Sequence, residues 1–222
     1  IPLDKIEITR IAKYAHNSLV ANSWKLNRIL LAGDAAHMMP PSAGQGLCSG
    51  VRDAVNLAWK LEAVIKSNAQ SGLLNTYEEE RKQHLYAILK RTLFIGKQLE
   101  AESLIGHWFR AIRLRLIQNI TPLKNFLRNT YNVLQQLKGG CLSSTPLAGK
   151  HFPQFNTKTD DILGYRFALI TLPNTLLPEE LSIADKKSVI VVDKQEEFEK
   201  WLRKHKIDFA IVRPDKVIFG TG

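Results

Sequence analysis

The stretch Arg28–Leu61, RILLAGDAAHMMPPSAGQGLCSGVRDAVNLAWKL, carries the fold in outline. Its apolar opening, Ile29-Leu30-Leu31-Ala32, is short and ends at Gly33-Asp34, the pattern of a buried strand meeting a turn. Pro40, Pro41, Gly44 and Gly46 keep the following segment out of regular structure. Leu47, Val51, Ala54, Val55, Ala58, Leu61 and Ile65 then recur at helical spacing, which predicts a helix from Gly46 to about Lys66, with Ser67–Gly72 as its exit. The order is strand, glycine/proline loop, helix.

That order has chemical consequences. Asp34 falls at the C-terminal edge of the expected sheet, where α/β proteins place ligands. A carboxylate there, beside a glycine that lets another backbone approach, suits a hydroxyl-rich chain. Gly44 and Gly46 bracket a turn whose N–H groups can point outward, and the helix start behind it favours negative charge. The stretch therefore predicts a site for a ligand with a polyol arm and an anionic head. A plain strand-loop-helix whose glycines only serve turns is the bland alternative, and it leaves too many special residues in one short span without a reason.

The pattern G-D-A-A-H-x-x-P-P-x-x-G-Q-G-x-x-x-G-x-x-D-A-x-N-L, matched by Gly33, Asp34, Ala35, Ala36, His37, Pro40, Pro41, Gly44, Gln45, Gly46, Gly50, Asp53, Ala54, Asn56 and Leu57, resembles the second flavin-binding motif of class A FAD-dependent aromatic hydroxylases. It is most similar to the phenol and 3-(3-hydroxyphenyl)propionate hydroxylase branch. Tyr77-Glu78-Glu79-Glu80-Arg81 extends the likeness. The resemblance implies that Asp34 holds the ribityl hydroxyls of FAD and that Gly33 serves its turn. Pro41 would lie at the flavin edge where oxygen reacts, the one position assigned a catalytic part. Gly44, Gln45 and Gly46 would offer N–H groups to the pyrimidine side of the flavin, where the reduced cofactor is anionic. Asn56 would contact the same edge. Asp53 would brace the loop or pair with Arg52, and His37 would be a hydrogen-bonded structural residue rather than an acid/base.

The implied reaction is hydroxylation of a phenolic or other aromatic substrate with NADPH or NADH and O2, the flavin doing the hard chemistry. The family's GxGxxG unit for the ADP half and its central Asp-Gly segment do not occur in this sequence, so the expected partner is a missing N-terminal half. The chain alone is expected to be inactive and unable to bind FAD tightly. A non-catalytic binding or oligomerisation module, from a split or decayed gene, is the alternative.

Outward from the motif, Ile6, Ile8 and Tyr14 suit an extended segment. Residues 76–138 read as mostly helical, with Thr76 and Glu79 as a capping box. Leu104, Ile105, Trp108, Phe109, Ile112 and Leu116 form an apolar stripe, Pro122 starts a new helix, and Gly139-Gly140 ends it. Ser143–Pro146 is a linker. From Phe167 the pattern becomes α/β: strands at Phe167–Leu172, Val189–Val192, Phe209–Val212 and Val217–Phe219, a helix at Gln195–His205, and a turn at Pro214-Asp215. This order resembles the thioredoxin-like domain appended to the same hydroxylases. The expected architecture is α/β (α+β), with part of an FAD-binding domain over 1–142 and a non-redox thioredoxin-like domain over 143–222.

Composition sets outer bounds. With 45% hydrophobic and 23% charged residues, the chain reads as an ordinary globular protein. No apolar run nears the roughly 18 residues of a membrane span. Ile1–Lys5 lacks the features of a signal peptide, and the first Met is Met38, so a processed or partial chain is expected. Cys48 and Cys141 form neither a disulfide framework nor a metal set, and the absence of CxxC removes dithiol exchange. A cytoplasmic protein is expected, with no metal, no membrane partner and a possible homodimer. The net charge is +10, and residues 81–138 hold eleven Lys/Arg against two acids. These charges are spread along helices without the interleaved aromatics of a nucleic-acid motif, so a solvated face is expected rather than an anion-binding surface.

Overall fold

The computed structural model describes residues 7, 9–13, 15–99, 108, 111–112, 115–116, 119–122, 136–155, 159–175, 189–192 and 195–222. Ile6, Ile8 and Tyr14 of the expected extended segment, half of the Leu104–Leu116 stripe, and most of the helix after Pro122 lie outside them. Of the stripe, Trp108, Ile112 and Leu116 are described, and all three are exposed.

The N-terminal unit begins with short antiparallel pairs. β1 (Leu19–Val20) pairs with β4 (His37–Met38), and β2 (Lys25–Leu26) pairs with β3 (Ile29–Leu30) across a turn at Asn27, which takes φ 53°. The apolar run is therefore not a buried strand: β3 has two residues, and Ile29 is 66% exposed. A 3-10 turn at Gly33–Ala35 and another at Pro41–Ala43 lead into α1 (Gly46–Lys66), whose bounds match the glycine-to-lysine span expected. α2 (Asn75–Leu99) follows a 3-10 turn. Its start differs from the expected capping box. Thr76 lies inside the helix and its hydroxyl donates to the Leu73 carbonyl at 2.7 Å, so it caps the preceding turn instead. Trp24, Ala36, Leu57, Tyr77 and Leu85 form the core of this unit.

The C-terminal unit is a four-stranded sheet with helices. α3 (Thr159–Leu163) precedes β5 (Phe167–Thr171), which pairs in parallel with β6 (Val189–Val192). α4 (Glu196–His205) crosses over, and β7 (Phe209–Val212) and β8 (Ile218–Thr221) complete the order β6-β5-β7-β8. α4 carries Glu196, Glu197 and Glu199 in its first turn and Arg203, Lys204 and His205 in its last, each matched to the helix dipole. Phe198 and Leu202 from α4 join Phe152, Leu163, Ile170 and Val212 in one core. The loop after Gly140 runs along β8, through Ser143 N–H to Phe219 O and Gly149 N–H to Ile218 O.

A buried charge cluster joins the two units. The β7–β8 turn presents Arg213 and Asp215. Arg213 donates to both Glu80 oxygens on α2, at 3.1 and 2.9 Å, and to Asp215. Asp215 Oδ2 also accepts from Asn56 and Trp59 of α1, each at 3.1 Å. Lys60 Nζ lies 3.1 Å from Glu80 Oε1, completing two cations against two anions. Burial pushes the Lys60 pKa down to about 8, against the pull of Glu80. Burial also raises the Glu80 carboxyl, but Arg213 and Lys60 outweigh it and hold Glu80 below the usual range. Removing one member of such a cluster strands the others. Arg213→Met is expected to cost about 3–5 kcal/mol, read as a lowered urea midpoint. A cost under about 1 kcal/mol would show that the cluster does not hold the units together.

Candidate functional site

Of the expected site residues, Gly33 and Asp34 lie on a turn against the first turns of α1, the helix that Gly44–Gly46 opens. Gly33 takes φ 59° and lies against Gly50: a Cβ at Gly50 would sit 3.3 Å from Gly33 Cα. Glycine at position 50 lets the turn and the helix touch backbone to backbone, and Gly33 supplies the left-handed φ of the turn. Asp34 follows immediately and is exposed. One wall of the site is thus an outward carboxylate on a turn that rests directly on the first turns of α1.

The other wall is the loop into that helix. Gly44 takes φ 61°, and Cβ atoms built at Gly44 or Gly46 would meet nothing within 4 Å, so the space before the loop is open. Gln45 is the N-cap residue of α1, and its side chain makes no capping hydrogen bond. The first N–H groups of the helix are left for an outside acceptor. Pro41 is exposed at the start of its own 3-10 turn. Behind that turn α2 carries Gly96, where a Cβ would come 2.9 Å from Ser42 Oγ. A lone glycine inside a helical pattern is the signal that marks such an approach; the partner, more than fifty positions away, has no sequence signal.

Asp53 ties these pieces together. Its Oδ2 accepts from Gly33 N–H at 3.1 Å and lies 2.7 Å from His37 Nε2, while Oδ1 accepts from Arg81 Nε at 2.8 Å. Asp53 therefore braces the loop, and its cation is Arg81 on α2 rather than the neighbouring Arg52. Arg52 instead points to Gln45 Oε1, at 3.4 Å. His37 is buried and hydrogen-bonded. Tyr77 donates to Leu31 O at 2.9 Å, and Glu78 accepts from Trp24 N–H at 2.9 Å, so the Tyr77–Arg81 segment pins the strand before the turn as well as the turn itself. Asn56 stands apart from the other expected site residues. It is buried, and its amide donates to Glu80 at 2.8 Å and to Asp215, inside the charge cluster.

Burial raises the Asp53 carboxyl, but the His37 hydrogen bond and Arg81 together bring it below the usual range. His84 accepts from Arg81 Nη1 through Nδ1 at 2.8 Å, and burial, with Arg81 and Arg52 adding to it, pushes its pKa down to about 3. Cys48 is exposed and Cys141 half-buried, both as free thiols. Among the described residues no His/Cys/Asp/Glu group could hold a metal, and no helix is long and apolar enough to cross a membrane.

Two consequences can be measured. Gly50→Ala should lower stability by about 1 kcal/mol, against the similar gain usual for this change inside a helix, because the methyl group lifts the Gly33 turn. Stability should also fall as pH drops below 6.5, the ordinary His value, toward about 3, because the unfolded chain binds a proton that native His84 refuses. Below the usual carboxylate range Asp53 adds to the loss. His84→Gln should flatten the upper part of this profile by one proton in urea titrations at stepped pH; an unchanged slope rejects the assignment.

Residues 2–92 match the family described as "FAD binding domain", and residues 174–222 match "HcaD C-terminal domain". Among curated proteins, the 3-(3-hydroxy-phenyl)propionate/3-hydroxycinnamic acid hydroxylase of Klebsiella pneumoniae is 30% identical, covering 97% of this chain and 46% of its own length. The protein of that name from Mycolicibacterium vanbaalenii is 36% identical over 78% of this chain and 33% of its own. Among solved structures, OxyS anhydrotetracycline hydroxylase from Streptomyces rimosus aligns at TM-score 0.72 with 26% identity, covering 93% of this chain and 43% of that one. The rebeccamycin biosynthetic enzyme RebC with reduced flavin aligns at 0.70 with 25% identity, covering 92% and 44%. The chain thus spans about half the length of the curated relatives it matches.

Proposed function

We propose, from the premise that this chain belongs with the FAD-dependent aromatic hydroxylases, that it forms one side of the flavin site of a monooxygenase acting on a phenolic or related aromatic ring. The observation that carries this reading is the Gly33–Gly50 contact, which sets the Asp34 turn and the uncapped start of α1 on one support. Asp34 would hold the ribityl hydroxyls. The N–H groups of Gln45 and Gly46 would meet the pyrimidine edge, where the helix dipole favours the charge of the reduced ring, while the Gly44 N–H donates to Pro41 O at 2.9 Å and shapes the turn. Bound FAD, reduced by NADH or NADPH, supplies the oxygen chemistry. Pro41 would border that face and help keep water out. Asn56 serves this site by position, holding α1 through the charge cluster. The strand order β6-β5-β7-β8, with β7 and β8 antiparallel, supports reading the C-terminal unit as a thioredoxin-like domain, here without dithiol chemistry.

α1 adds a second support. Its apolar stripe faces outward, with Leu47 83% and Ile65 73% exposed, while Ser49, Asp53, Asn56 and Lys60 are buried. A helix that leaves an apolar stripe outward beside a buried face of Leu57, Trp59 and polar groups is built to be covered by further chain, which fits a flavin domain completed by an N-terminal half. Co-expression with such a half, taken from a relative, should restore flavin absorbance and substrate-stimulated NAD(P)H oxidation. Asp34→Ala in that assembly should weaken FAD binding by about tenfold or more. An assembly that forms yet stays colourless, or binds FAD equally well without the Asp34 carboxylate, overturns the proposal.

A further inference from the structure

A cavity of about 210 Å³ lies between α1, α2 and the β7–β8 turn, apart from the Asp34 face. Its polar lining is Arg52, Asn56, Arg81, His151 and Asp215, set against an apolar wall that includes Val55 and Val217. The charges there do not balance. Asp215 is already spent on Arg213, Asn56 and Trp59. Asp53 neutralises Arg81 through Nε, but Arg81 Nη2 reaches only Ser49 O, at 3.5 Å. Among the described residues, Arg52 makes one long hydrogen bond, to Gln45, and has no carboxylate partner. Asn56 Oδ1 is buried and accepts nothing.

Burial is the first cause of the lowered pKa at both Arg52 and His151 in the cavity. Burial lowers the Arg52 pKa, and the Arg81 charge lowers it further. His151 is lowered by burial as well, and Arg52, Arg81 and Arg213 add to this against the opposing pull of Asp215. A half-buried guanidinium facing a second one lacks only an anion between them.

We propose that this cavity binds a small oxyanion, with its anionic oxygens between Arg52 and Arg81. Hydrogen phosphate and a short 2-hydroxycarboxylate share that chemistry. The apolar wall favours the organic acid, and its carboxylate matches the guanidinium forks. The competing occupant is water, since the volume holds about seven molecules at roughly 30 Å³ each.

The test is calorimetric titration of the purified protein with phosphate, lactate and propionate at constant ionic strength set by chloride. Phosphate or lactate should bind saturably at one site per chain with a Kd below about 10 mM. Propionate, which shares the carboxylate, should bind as lactate does. Preference for lactate over phosphate identifies an organic acid, the reverse an inorganic ion, and both uphold the site. Arg52→Gln should weaken binding at least about tenfold; its single long hydrogen bond leaves little fold to lose. Should that variant fail to fold, the Arg52 Nε–Hε resonance of the unaltered protein must shift on titration. No saturable binding, equal binding by Arg52→Gln, or a fixed Arg52 signal means that water alone fills the cavity and overturns the proposal.

Discussion

The Asp53 carboxylate is the constraint on which the candidate site depends. Its oxygens reach the backbone of the Gly33 turn, the His37 ring and the Arg81 guanidinium, three groups from three separate segments. Ordering the glycines of this loop costs more backbone entropy than ordering other residues, so the loop needs an anchor. Asp53 supplies the anchor from the rigid side, one helical turn beyond Gly50. Its charge is buried and would be costly alone; Arg81 makes it tolerable. The arrangement therefore needs α2 as much as α1.

The second constraint is the mixed character of the buried face of α1. Helix periodicity located its ends correctly but does not say which face turns inward. The inward face carries Leu57 and Trp59 together with two charge systems, Asp53 with Arg81 and the Glu80–Arg213–Asp215 cluster. Buried ions share interior space with apolar residues here because each is paired and hydrogen-bonded; unpaired they would drive the helix to turn over.

Local features were legible in the sequence, and features depending on distant partners were not. Gly46–Lys66, Val189–Val192, Phe209–Val212 and the Pro214-Asp215 turn could be read because spacing and turn chemistry are local. The motif also marked Gly33, Asp34 and Gly44–Gly46 as one group, and the structure sets the Gly33 turn on the helix that this loop opens. The Ile29–Ala32 run was misread as a buried strand, since four apolar residues carry no information about what covers them. The capping box at Thr76 failed because a 3-10 turn runs straight into α2 and offers the Thr76 hydroxyl a nearer acceptor. Nothing local in the sequence pairs Glu80 with Asp215, and only the fold brings Arg213 between them.

These two clamps act on the same helix one turn apart, and that spacing has a mechanical consequence. Asp53 and Asn56 are three residues apart and share a face. The first holds the ligand loop and the second holds the C-terminal unit. A shift of the β7–β8 turn moves Asp215, hence Asn56 and Trp59, hence α1 as a rigid body. The loop cannot follow independently, because Gly33 is fixed to Asp53 and Gly50 on that helix. The C-terminal unit, which carries no CxxC, thus has a physical route to the placement of Asp34 and the α1 start. That route runs through paired buried charges, which resist small displacements more steeply than apolar packing does, because the compensation they need is directional.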